Sequence, residues 1–205
     1  MARRIVVTSG KGGVGKTSIA ANLGIRLAKS GKRVCIMDAD FGLNNLDVVT
    51  GVEKLVVYDA ADCVEGRCRV KQALIECPSN KNVYILPSVH SIARTAINEK
   101  TIGELTEGLS TMFDYVVVDC PAGVNEGFSL AVSLSEEALV VTTPQLSSLR
   151  DADKVISLLR GYGLKSIRLI VNRVRGDLVA EGDMLSPEEI EKALKCHLAG
   201  VIPDD

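Results

Sequence analysis

Apolar residues in this chain fall into short, nearly continuous runs, separated by longer stretches in which they return every three or four positions. The runs at 5–7, 34–37, 83–86, 115–118, 138–142, 167–171 and 198–202 are rich in Val, Ile and Leu. Runs of that length and composition read as strands buried on both faces. The stretches over 16–30, 99–112 and 147–160 carry the helical period, and Ser186-Pro187-Glu188-Glu189 reads as an N-cap, a first-turn proline and a capping glutamate. Strands that alternate with helices predict a three-layer α/β/α sandwich around a mostly parallel central sheet. The chain stops at Pro203-Asp204-Asp205, directly after its last strand. The expectation is one domain over 1–205, truncated before helices that would cover that strand.

Composition narrows this picture. With aromatic residues at 3% and no Trp, the core of a 205-residue chain must be built from Val, Ile, Leu and Ala. The 24 basic and 26 acidic residues nearly cancel, which argues against a sequence-specific nucleic-acid surface. The six cysteines, Cys35, Cys63, Cys68, Cys77, Cys120 and Cys196, form no Cys-x-x-Cys pair, and His90 and His197 lie apart from them. Reduced thiols are expected, with Cys63 and Cys68 as ordinary ones. The apolar run after Arg3-Arg4 ends at Val7, too short for a signal peptide, and no segment reaches membrane-spanning length, so a cytoplasmic protein is expected.

The chemistry begins at Gly10-Lys11-Gly12-Gly13-Val14-Gly15-Lys16-Thr17, which matches G-x-x-x-x-G-K-[ST] between a predicted strand and a predicted helix. Such a loop turns main-chain N–H groups toward phosphates, and the helix behind it, starting with Lys16, Thr17 and Ser18, adds its positive end. Lys16 would reach the β- and γ-phosphates of ATP, and Thr17 would ligate Mg²⁺. Asp38 and Asp40 follow one strand and Asp119 ends another, at the carboxyl ends where parallel sheets bind ligands. Each fits a helix cap or turn as well as a metal-bound or attacking water, and together, downstream of the loop, they favour the latter. Asn172 fits equally a turn or the hydrogen-bonding edge of adenine. Lys11 is surplus to a single phosphate site; it fits a solvated loop lysine, or a cation offered to a neighbour's γ-phosphate across a symmetric dimer.

Lys11 to Thr17 resembles the deviant Walker A motif of the MinD/ParA family of dimerising P-loop ATPases. Within that family the resemblance runs to the septum-site determining members. It extends over 1–17, 38–51, Val56-Val57-Tyr58-Asp59, Gln72-Ala73-Leu74-Ile75, Tyr84-Ile85-Leu86-Pro87, Asp119-Cys120-Pro121-Ala122-Gly123, 147–156, 182–186 and Gly200-Val201-Ile202-Pro203. The resemblance implies an ATPase that takes Lys11 to the partner's nucleotide, Asp38 and Asp119 to the water shell of Mg²⁺, Asp40 to the attacking water, and Asn172 with Pro203 to adenine. It implies an ATP-bound homodimer at the inner membrane that recruits the division inhibitor MinC and is released by MinE, with docking near Asn45, Arg150, Asp151 and Asp153. Membrane binding would come from a C-terminal amphipathic helix, absent from these residues. Flagellar-number regulators, ParA-type partitioning ATPases and ATP-dependent ligases on the same fold are the alternatives.

Overall fold

The computed structural model describes residues 1–40, 45–88 and 97–204. Positions 41–44 of the 38–51 segment, His90 and Asp205 lie outside the described residues. The strands are β1 (Arg3–Thr8), β2 (Val34–Asp38), β3 (Ile75–Cys77), β4 (Asn80–Leu86), β5 (Tyr115–Asp119), β6 (Glu137–Thr142), β7 (Ser166–Val174) and β8 (Leu198–Pro203). The helices are α1 (Lys16–Lys29), α2 (Leu46–Thr50), α3 (Ala60–Val64), α4 (Val70–Ala73), α5 (Glu99–Ser110), α6 (Glu126–Ser133), α7 (Leu146–Leu159), α8 (Gly176–Glu181) and α9 (Pro187–Leu194).

One eight-stranded sheet runs β3-β4-β2-β5-β1-β6-β7-β8. All neighbours are parallel except β3, which pairs antiparallel with β4. Because consecutive side chains of a strand point to opposite faces, the continuous apolar runs feed two cores. On one face, Ile19, Ala20 and Ala28 of α1 and Leu46 of α2 pack against Val7, Val34, Ile36 and Val117. On the other, Ile102 and Leu109 of α5, Phe128 of α6, Val155 and Leu159 of α7 and Ile190 of α9 meet Val6, Met37, Val116 and Val140. The three-layer sandwich predicted from the apolar periodicity is the fold found.

Local signals explain the helix starts. Ser186 accepts from the N–H of Glu189 while the Glu189 carboxylate accepts from the N–H of Ser186, with Pro187 in the first turn. Asn98 caps α5 in the same reciprocal manner with Thr101. The two central switch points, where β1 is flanked by β5 and β6, place the loops after β1, β2 and β5 together at the carboxyl edge.

Candidate active site at the carboxyl edge of the sheet

The phosphate loop links β1 directly to α1. Gly15 serves as the N-cap of α1 with φ 98°, a left-handed conformation that glycine adopts without strain. A Cβ there would also lie 2.6 Å from Nδ2 of Asn172, on β7. That amide nitrogen donates to the main-chain oxygen of Val14 at 2.8 Å, so Asn172 fastens the loop to the sheet. At the other end of the loop, Gly10 lies against the backbone of Asp151 on α7, and Ser9 Oγ donates to the Lys11 carbonyl at 2.7 Å.

The carboxylates face the loop because of strand register. Asp38 and Asp119 are opposite one another on β2 and β5, and Asp119 is also opposite Val7. Lys16 is only 8% exposed, and its charge opposes the upward shifts of Asp40 and Asp119. Asp38 Oδ1 accepts from the Asp40 N–H at 2.9 Å, and its Oδ2 from the Leu46 N–H at 3.5 Å. Gly12, Lys16, Thr17, Asp38, Asp40 and Asp119 thereby line a cavity of about 430 Å³, with Asn45 at its side. A second cavity of about 480 Å³ continues past Gly15 and Ser18 to Asn172 and Ile202.

An equally large hollow lies between Met1, Arg4, Glu104, Glu107 and Glu136 at the opposite end of the sheet. It lacks the glycine loop and helix start that bind phosphates, so the chemistry belongs to the carboxyl edge.

Several positions read from sequence fall outside these two cavities. Lys11 is exposed and donates from Nζ to Ser147 Oγ at the start of α7, at 3.1 Å. Pro203 is exposed opposite Val174, and its neighbour Ile202 supplies the cavity wall. Arg173 borders both cavities and has φ 59°, at a register shift between β7 and β8. It escaped notice in the sequence because an arginine near the end of a strand carries no signal of a bulge.

The family model described as ParA, NUBPL iron-transfer P-loop NTPase, matches residues 1–178. The septum site-determining protein MinD of Synechocystis is 47% identical over 205 residues, all of this chain and 77% of that protein. MinD of Bacillus subtilis is 46% identical, again over all of this chain and 77% of its own length. The MinC:MinD cell division protein complex of Aquifex aeolicus superposes with TM-score 0.91 at 42% identity, over all of this chain and 82% of that one.

The chain belongs to the MinD family of P-loop ATPases.

It is an ATPase, working on ATP with Mg²⁺. MinD from Pyrococcus horikoshii, solved with Mg-ADP, is 33% identical with TM-score 0.87, over all of this chain and 82% of that one.

The donor set of this MinD-family chain suits a hard divalent cation. Asp119 Oδ1 is buried with no hydrogen-bond partner among the described residues, a lone pair that would be costly to leave unmatched. Burial raises the Asp38 carboxyl to about 7, helped by the Asp119 charge and opposed by the N–H groups of Asp40 and Leu46. Burial likewise raises Asp119 to about 6, against the Thr17 hydroxyl and the Lys16 charge. Two buried carboxyls raised in this way would each be stabilised in ionised form by a nearby positive charge.

A pH dependence follows. Between the ordinary carboxyl value of 3.8 and these raised values, the folded protein binds protons that the unfolded chain has released. Stability of the metal- and nucleotide-free protein therefore falls as pH rises through about 4 to 7. Adding Mg·ADP should flatten that slope, because a ligand that prefers the ionised pair stabilises the folded state more at high pH. Thermal denaturation between about pH 5 and pH 8, with and without Mg·ADP, measures both slopes. A midpoint that does not fall with pH in the metal-free protein would mean that the two carboxyls stay ionised throughout.

Proposed function

We propose that this chain is the ATP-driven switch that places the division septum: it dimerises on ATP, recruits MinC to the inner membrane, and is released when MinE stimulates hydrolysis. The similarity to MinD proteins over the full chain, and to a MinD solved with MinC, supports this reading. The observation that carries it is Lys11. This lysine is exposed, is absent from the lining of its own phosphate cavity, and is held by Ser147 on α7. A cation so placed is free to exchange Ser147 for the nucleotide of a second copy.

The division of labour proceeds from these positions. Main-chain N–H groups of Gly10 to Thr17 and the first turn of α1 bind the phosphates, and Lys16 neutralises their charge from within the subunit. Lys11 from the partner copy stabilises the charge that develops on the γ-phosphate. Asp40 orients the attacking water and accepts its proton. Thr17 would hold Mg²⁺, with Asp38 and Asp119 around its water shell, and the cation would supply charge neutralisation to the phosphates. Asn172, already donating to Val14, keeps its oxygen for the adenine amino group, with Ile202, next to Pro203, walling the cavity on that side.

The switch reaches its partners through α7. Arg150 and Asp153 are exposed on that helix, and Asp151 is half-buried behind them against Gly10. We assign these residues, with Asn45, to the docking of MinC and MinE. No helix among the described residues is long and apolar enough to cross a membrane. The location proposed is the cytoplasm, with peripheral attachment to the inner membrane through an amphipathic helix of the kind the family resemblance implies.

The test is solution mass by light scattering with ADP and with Mg·ATP, on the wild type, Lys11→Ala and Ser147→Ala. The wild type should double its mass only with Mg·ATP. Lys11→Ala should stay a monomer while binding nucleotide, and Ser147→Ala should dimerise at least as readily because the lysine is released. ATP-dependent doubling in Lys11→Ala would remove the cross-subunit role.

A further inference from the structure

Of the six thiols, only Cys63 and Cys68 are reachable from solvent; Cys35, Cys77, Cys120 and Cys196 are buried. The two reachable sulfurs lie 3.5 Å apart. Cys63 is in the last turn of α3, and the chain returns to it through a tight turn in which Gly66 has φ 75°. The return is held without help from sulfur. The Gly66 N–H donates to the Cys63 carbonyl at 3.2 Å, and the N–H groups of Arg67 and Cys68 donate to the Asp62 carbonyl at 2.9 and 3.4 Å. The Arg67 guanidinium pairs with Asp62 at 2.6 Å and with Glu65. A covalent link requires the sulfurs to approach by about 1.5 Å, to a normal disulfide bond near 2.0 Å.

We propose that Cys63 and Cys68 form a reversible dithiol–disulfide site, whose oxidant is a low-molecular-weight disulfide of the glutathione class. The Cys68 thiolate attacks one sulfur of the oxidant; the oxidant's sulfur–sulfur bond breaks and one glutathione thiolate leaves. Cys63 Sγ then attacks Cys68 Sγ, forming the internal disulfide and expelling the second glutathione. Two protein thiols are oxidised, one small disulfide is reduced, and the two thiol protons end on the two glutathiones.

The order of attack follows from surroundings. Burial, and then the hydrogen bond with Cys68 and the charges of Asp62 and Asp59, push the Cys63 thiol up to about 12. Burial disfavours the Cys63 thiolate as first nucleophile, and with the sulfurs 3.5 Å apart its attack in the second step is intramolecular.

The folded chain is equilibrated at about pH 8, near the ordinary cysteine range, with graded ratios of oxidised to reduced glutathione. Remaining thiols are alkylated and the peptide spanning 63–68 is weighed. The expected result is one two-electron transition in which both thiols disappear together, the peptide loses two hydrogens, and a dithiol reductant restores it. The buried four should stay unmodified by glutathione. Cys63→Ser and Cys68→Ser should form no internal link, and half-modification by glutathione should require an oxidant ratio about tenfold or more higher than for the wild type. The proposal is overturned if the wild-type peptide carries two alkyl groups at every ratio, if it stops at a mixed disulfide, or if the ring closes only in denaturant.

Discussion

Asp40→Ala should bind Mg·ATP with close to wild-type affinity and hydrolyse it about 10²–10⁴-fold more slowly, the range associated with losing a positioned general base. The variant separates side chain from scaffold unusually well. The loop at Asp40 is fixed by main-chain bonds: its N–H donates to Asp38 Oδ1 at 2.9 Å and its carbonyl accepts from Ser88 Oγ at 2.8 Å. Both survive truncation to alanine. What disappears is a half-buried carboxylate that lines the phosphate cavity and feels the Lys16 charge. Burial raises its carboxyl, which moves it toward the working pH of a base. A loaded enzyme that cannot turn over should accumulate as the dimer. Single-turnover hydrolysis, followed alongside nucleotide binding, decides the matter: undiminished turnover would remove Asp40 from the chemistry, and lost binding would make it a structural residue.

Gly10→Ala should be a far more damaging methyl than Gly12→Ala in the phosphate loop. A Cβ at Gly10 would overlap the carbonyl of Asp151 and lie 2.6 Å from the Asp151 Cβ. Two of those three atoms belong to the backbone of α7, which cannot move aside as a flexible side chain could. That helix is anchored by Leu149, Ala152, Val155, Ile156 and Leu159 in the core. The clash must therefore displace the loop or lift α7, at about 1–3 kcal/mol by the usual cost of overpacking. Gly12 supplies the comparison. Its added Cβ would meet only the Ala122 methyl at 3.8 Å, an ordinary contact. Gly10→Ala should lower both the melting temperature and Mg·ADP affinity, whereas Gly12→Ala should leave the unfolding free energy within about 0.5 kcal/mol of wild type. Equal effects from the two would mean that α7 does not brace the loop.

The parts of this molecule that could be read from sequence are those whose cause is local or periodic. β2 and β5 are runs of consecutive buried residues, and α9 announces itself by its cap, its proline and its glutamate. The phosphate loop is a contiguous string, and Asp38 and Asp119 were recognisable because each ends an apolar strand. Three kinds of feature were hidden. β3 spans only Ile75–Cys77, too short to show alternation, and it runs directly on from α4. The short helices α2, α3, α6 and α8 lie in stretches read as connections; α6, for example, rests on the Asn125 side chain accepting from the Phe128 N–H. Contacts between distant positions were hidden altogether. Lys11 with Ser147, Gly10 with Asp151 and Asn172 with Val14 depend on the sheet order, which no local pattern encodes. Cys63 and Cys68 are close in sequence, but their spacing looked incidental until the turn at Gly66 set their sulfurs side by side.

The central place of β1 in the sheet has a consequence for how the molecule comes into being. β1 is the first strand synthesised, yet its two neighbours begin at Tyr115 and Glu137. The phosphate-binding string is complete in the chain by Thr17, while Asp119 and the bracing helix α7 arrive much later. At translation speeds of ~5–20 residues per second, the interval is on the order of ten seconds. Over that interval β1 has two unsatisfied edges, and α1 has only part of the surface it will cover. Assembly from such distant partners is slower than that of folds built on local contacts. A nascent chain halted before residue 115 should therefore hold the whole nucleotide motif and bind no nucleotide.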